Sequence, residues 1–136
     1  MSEKQEFTLP SRIESVDEAA MRADEFARSL GFDADTISAI DMALRESVAN
    51  AVKHGNQLDE SKNVYVVLEA SGGRFEISVA DSGPGFSPDE VPDPTQKENL
   101  LKTSGRGILF MRAFMDDVEW ANRPDGGTVV KMVKKL

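Results

Sequence analysis

Glu46, Asn50 and His54 are spaced four apart in a helical stretch, so they share one face of it. A solvated polar stripe is the ordinary reading of such a row, yet asparagine has poor helix propensity and in mid-helix needs a reason to be there. Its amide oxygen is a suitable hard ligand for Mg²⁺, which otherwise keeps waters and takes phosphate oxygens. A carboxylate one turn away could orient or deprotonate a hydroxyl nucleophile. Further along, Asp81 leads Asp81-Ser82-Gly83-Pro84-Gly85-Phe86 at the end of an alternating strand. Gly83 and Gly85 let a ligand approach the backbone closely. A strand-end acid can accept from the exocyclic amine of adenine, where guanine presents a carbonyl. Such a charge-assisted bond is worth about 1.5–3 kcal/mol, enough to set base preference. A plain Asp-Ser-Gly turn is the competing reading of that motif alone.

Gly105-Arg106-Gly107 precedes the apolar Ile108, Leu109, Phe110 and Met111. Glycines at a helix start expose unpaired N–H groups where the dipole favours an anion, and Arg106 and Lys102 could add charge to phosphates. Gly126-Gly127-Thr128 alone is most economically a β-turn. In this order, the four motifs supply what one cleft needs to hold an adenine, a magnesium ion and a triphosphate. ATP is therefore the leading ligand. His54, the single histidine, has no metal-ligand companions, which argues against zinc. There is no Gly-x-Ser-x-Gly elbow, no cysteine nucleophile and no Walker-type lysine motif.

These residues need elements to position them. A short strand is expected within 6–14, with Phe7, Leu9 and Ile13 apolar and Pro10 restricting it to an edge or a break. From Val16 the apolar spacing turns helical through Ala19, Ala20, Ala23, Phe26, Ala27 and Leu30, with Ser15 or Asp17 as cap and Gly31 as stop. A second helix follows Asp33 or Asp35, buries Ile37, Ile40, Leu44, Val48, Ala51 and Val52, and ends at Gly55. Val64–Ala70 and Arg74–Ala80 read as a hairpin around Ser71-Gly72-Gly73. Residues 82–104 hold Pro84, Pro88, Pro92 and Pro94 with little periodicity, and 86–104 is expected to be a lid between the glycine motifs. A third helix over roughly 105–115, with Phe110, Met111, Phe114 and Met115 as core, and strands near 117–122 and 127–134 complete the chain. The fold class is α+β, a two-layer sandwich with helices on one face of a mixed, mostly antiparallel sheet.

With 136 residues, 40% of them apolar and 29% charged, the chain reads as one soluble globular domain, residues 1–136. Its net charge of −8 counts against direct nucleic-acid binding and leaves protein and small-molecule partners. No apolar run approaches the roughly 20 residues of a membrane span, and no signal peptide opens the chain. The lack of cysteine fits a reducing cytoplasm.

As an ordered set, Glu46-x-x-x-Asn50-Ala51-x-x-His54, Asp81-x-Gly83-x-Gly85-Phe86, Gly105-Arg106-Gly107-Ile108 and Gly126-Gly127-Thr128 resemble the GHKL ATPase superfamily. The resemblance covers nearly the whole chain and falls closest to the RsbW-like anti-sigma factor serine/threonine kinases of bacteria. It implies that Asn50 ligates Mg²⁺, Asp81 contacts the adenine amine and Thr128 sits near the adenine end. Gly83, Gly85, Gly105 and Gly107 would shape the nucleotide pocket and lid, and Glu46 would be the general base for a substrate hydroxyl. Histidine kinases of the superfamily normally carry Asn where Glu46 stands, which favours the serine-kinase branch. The implied reaction moves the γ-phosphoryl group of ATP to a serine of an anti-sigma-factor antagonist. The implied partners are that antagonist and a sigma factor, with a homodimer as the common family assembly. Two other readings compete: an ATP-binding regulatory module that acts by binding alone, and a nucleotide-free adaptor whose glycine motifs are ordinary turns.

Overall fold

The computed structural model describes residues 3–82, 114–124 and 126–136. Five strands, β1 (Glu3–Pro10), β2 (Asn63–Ser71), β3 (Arg74–Ala80), β4 (Asp117–Asn122) and β5 (Thr128–Lys135), form one sheet in the order β1-β2-β3-β5-β4. Two helices, α1 (Glu14–Ser29) and α2 (Ala34–Asn50), supply the second layer, and α2 continues as a π-helical turn over Ala51–Gly55. This is the expected α+β sandwich. Every described strand pairing is antiparallel, so the mixed character expected of the sheet is not seen among the described residues.

Alternation decides which side of the sheet faces the helices. Phe7 and Leu9 of β1, Val64, Val66 and Leu68 of β2, and Phe75, Ile77 and Val79 of β3 are buried, as are Val118, Val130 and Met132. They meet Ala19, Ala23 and Ala27 of α1 and Ile40, Leu44, Val48 and Val52 along α2 in one continuous core. Alanines on the buried stripe of α1 leave room for the larger aliphatics of α2. Phe75 anchors the far end of the core, with the Phe32 ring edge-on at 5.5 Å and Phe26 tilted at 6.0 Å. Met115 belongs to this core as expected.

Helix boundaries follow local chemistry. Asp33 caps α2, its carboxylate accepting from the Thr36 N–H at 2.7 Å. Ser15, expected as a cap for α1, instead sits in its first turn and donates its hydroxyl to the Pro10 carbonyl at 2.6 Å. The first strand also lies earlier than its apolar residues imply. Pairing with β2 runs from Glu3↔Ala70 to Pro10↔Asn63, and Ile13 is left half exposed beyond it, at the start of α1. Gly72 and Gly73, both at positive φ, close the β2–β3 hairpin as expected. The expected lid over 86–104 and most of the third helix lie outside the described residues.

Candidate active site

Asp81 marks the centre of the site. It follows β3 directly and is 6% exposed. Its N–H donates to the Thr128 carbonyl at 2.9 Å, and one carboxylate oxygen accepts the Thr128 N–H at 3.1 Å. Asp81 and Thr128, distant in sequence, are thus joined by a reciprocal pair of bonds where β3 and β5 end their ladder. Two glycines make this closeness feasible. A Cβ on Gly55 would overlap the Asp81 carboxylate, and a Cβ on Gly127 would overlap the Asp81 carbonyl. Gly55 therefore does more than end a helix: it lets the last turn beyond α2 abut the carboxylate.

The same contact ties the helix row to the strand end. Asn50 is the last residue of α2 and Gly55 the last of the π-helical turn that follows. Glu46 lies one turn before Asn50. Both are half-buried, and among the described residues neither side chain makes a hydrogen bond or ion pair. His54 is exposed within the turn. A π-helical turn is a rare departure from the α-helix and is enriched at functional sites. Here it begins at the residue after the expected metal ligand.

Asn56, outside the sequence motifs, makes three side-chain hydrogen bonds at the site. It is 1% exposed; its amide nitrogen donates to Ser11 Oγ at 2.7 Å and to the Asn63 carbonyl at 3.0 Å, and its amide oxygen accepts the Ser82 N–H at 2.7 Å. One side chain thereby links the ends of β1 and α2, the start of β2 and the residue after Asp81. Arg123, from the β4–β5 connection, donates Nη1 to the Asp81 carbonyl at 2.7 Å. The signal that could have found Asn56 is a buried-capable amide just past a helix-ending glycine, since such an amide can satisfy several chain ends at once. Gly83, Gly85, Gly105, Arg106 and Gly107 lie outside the described residues.

This arrangement fits an adenine nucleotide with magnesium. A buried carboxylate to which the Thr128 N–H donates suits an amine hydrogen bond better than a metal cage. Among the described residues no group of three His, Cys, Asp or Glu side chains could hold a metal ion. An amide oxygen from Asn50 is the kind of lone protein ligand that Mg²⁺ accepts when phosphates and waters complete its shell. No helix of the described residues is long and apolar enough to cross a membrane.

Comparison with known proteins identifies the family. Residues 9–134 match the model of the histidine kinase-like ATPase domain. The anti-sigma F factor of Heyndrickxia coagulans is 33% identical over 135 residues, covering 96% of this chain and 90% of that protein. The anti-sigma F factor of Clostridium perfringens is 31% identical over 100% of this chain and 99% of its own length. The serine-protein kinase RsbW of Oceanobacillus iheyensis is 27% identical over 96% and 85%. Among solved structures, the RsbU and RsbW domains of a Mycobacterium tuberculosis protein share the fold at TM-score 0.71 and 22% identity, over 98% of this chain and 32% of that one. The SiaB-SiaC complex of Pseudomonas aeruginosa does so at TM-score 0.72 and 12% identity, over 95% and 88%. With its buried Asp81 joined to Thr128 and its Glu46–Asn50 helix row, the chain belongs to the histidine kinase-like ATPase family, in the branch of RsbW-like anti-sigma factor serine kinases.

Proposed function

We propose that this chain is an ATP-dependent serine/threonine kinase that acts as an anti-sigma factor in a partner switch. Its protein substrate is a serine of an anti-sigma-factor antagonist, and its second partner is a sigma factor. The observation that carries this reading is Glu46 one turn before Asn50, on a helix whose continuation abuts the Asp81 carboxylate. Bound ATP would supply the γ-phosphoryl group and leave as ADP, and Mg²⁺ would neutralise the charge that develops during transfer.

The chain's own residues divide the remaining work. Asp81 accepts the adenine amine, and the Thr128 N–H holds its carboxylate in place. Asn50 offers its amide oxygen to Mg²⁺. Glu46 takes the proton from the substrate serine hydroxyl, a role for which a carboxylate with no hydrogen bond or ion pair among the described residues is suited. Gly83, Gly85, Gly105 and Gly107 let the backbone approach the nucleotide, and Arg106 adds positive charge on the phosphate side. A phosphoserine adds about −1.5 to −2 charges. Facing a chain of net charge −8, that addition weakens the hold of the modified antagonist and frees the kinase to take the sigma factor.

Incubation with Mg-ATP and a cognate antagonist tests the reading. The expected result is phosphoserine on the antagonist with the wild-type chain and none with Glu46→Gln, while the partner still binds. Stoichiometric Mg-ATP binding with no product over hours would overturn the kinase and leave a regulatory module that acts by binding alone.

A further inference from the structure

The peptide group between Asp81 and Ser82 is gripped at both of its polar atoms. Its oxygen accepts from Arg123 Nη1 at 2.7 Å, and its N–H donates to Asn56 Oδ1 at 2.7 Å. Gly127 closes on the same group, since a Cβ there would overlap the Asp81 carbonyl and crowd the Ser82 Cα. Neither grip comes from strand pairing. Asn56 follows the π-helical turn, and Arg123 lies in the connection between β4 and β5.

Each gripping residue is itself anchored. Asn56 holds Ser11 Oγ and the Asn63 carbonyl through its amide nitrogen. The Arg123 guanidinium lies 5.1 Å over the Tyr65 ring, and its backbone N–H donates to the Gly127 carbonyl at 3.0 Å. Beyond Asn56, Gln57 and Leu58 both adopt left-handed backbone at φ 54° and 60°. Side-chain-bearing residues hold such a conformation where surrounding contacts over-determine it, and here the Leu58 N–H donates to the Val52 carbonyl at 2.8 Å. Rotation of the Asp81–Ser82 peptide would change ψ of Asp81 and φ of Ser82. Loss of either grip would free the main chain on the C-terminal side of the Asp81 Cα, from which the carboxylate hangs, and leave the bonds to Thr128 as its remaining described restraint.

We propose that Asn56 and Arg123 are positioning residues that set base discrimination by fixing this one peptide group. The inference rests on the reading of Asp81 as the acceptor for the adenine amine. Hydrogen bonds weaken steeply as their angle departs from linear, so a carboxylate held at one angle separates an amine from a carbonyl better than one free to swivel. The two side chains need not touch the base.

Calorimetric titration of Mg-ATP and Mg-GTP into the full chain tests this, with thermal denaturation recorded for each variant. Arg123→Met and Asn56→Ser should each weaken Mg-ATP by about tenfold and Mg-GTP by no more than about threefold, so the ATP:GTP preference falls. Arg123→Lys, which restores a cationic donor, should recover part of that preference. A lower melting temperature with an unchanged ATP:GTP ratio would show a purely structural role and overturn the proposal. Should Asn56→Ser fail to fold, Arg123→Met decides alone, because Arg123 sits on a partly exposed turn. A wild-type chain without ATP preference would defeat the Asp81 reading itself. A wild-type preference retained in both variants would defeat only the clamp.

Discussion

The strand end and the helix row of the site are built on opposite plans. At the strand end, Asp81 is buried and tied by its own N–H, its carbonyl and one carboxylate oxygen, with Asn56 holding the next N–H. On the helix, Glu46 and Asn50 are half-buried, and neither side chain is engaged among the described residues. A group already bonded has a fixed direction, and a carboxylate so held still has lone pairs to offer along it. A group not so bonded keeps its lone pairs for a metal or a proton. The group proposed to read the base is thus pre-organised by the fold, while the groups proposed for chemistry are left, among the described residues, for the reactants.

Removing the proposed base tests the helix side of the contrast most severely. Glu46→Gln should cut phosphoryl transfer to the antagonist by about 10²–10⁴-fold while Mg-ATP affinity, measured by calorimetry, stays within about twofold. Equal losses in both would erase the division of labour. On the strand side, Gly55→Ala places a methyl group against the Asp81 carboxylate and should weaken Mg-ATP by about 10–100-fold. Its overpacking should also cost about 1–3 kcal/mol of stability in denaturant titration. Unchanged nucleotide binding there would mean that the contact has no bearing on the site.

Asn50→Ala sharpens the comparison further. It should weaken Mg-ATP by about tenfold yet leave affinity for ATP in excess chelator unaltered, since the amide acts through the metal. The smallest effect lies away from both regions. Hydrogen bonds from the Thr36 side chain and then its backbone N–H hold the Asp33 carboxyl below its ordinary value. That contribution to stability is complete above the unfolded value near about 4 and is lost as pH falls through the lower folded value. Asp33→Ala should therefore lower the melting temperature slightly at pH 7, with the difference from wild type vanishing in acid and nucleotide affinity unaffected.

Much of this layout was legible in the chain. The residues expected along the buried stripe of α2 are all buried, β3 has the boundaries its alternation gives, and the Gly72-Gly73 hairpin forms as expected. Asp81 and Thr128, singled out from separate motifs, are hydrogen-bonded to one another. Other features escaped because they depend on tertiary partners. Glu3 to Glu6 carry no apolar pattern, and their strand exists because β2 offers an edge to pair with. The π-helical turn shifts the helix by a residue, a change too small for a 3.6-residue period to reveal. Asn56 looks like one more polar turn residue until three other chain segments converge on its amide. Gly55 reads as a helix stop, whereas the structure shows a close approach to a carboxylate 26 positions away.

The central claim is that Asp81 reads the exocyclic amine of the purine. It is tested most directly by a double-mutant cycle pairing Asp81→Ala with a purine riboside triphosphate that lacks that amine, all four affinities measured in the presence of Mg²⁺. The account predicts a coupling of about 1.5–3 kcal/mol, so that loss of the amine weakens binding to the wild-type chain and scarcely matters to the variant. Additive losses, with no coupling between carboxylate and amine, would contradict it.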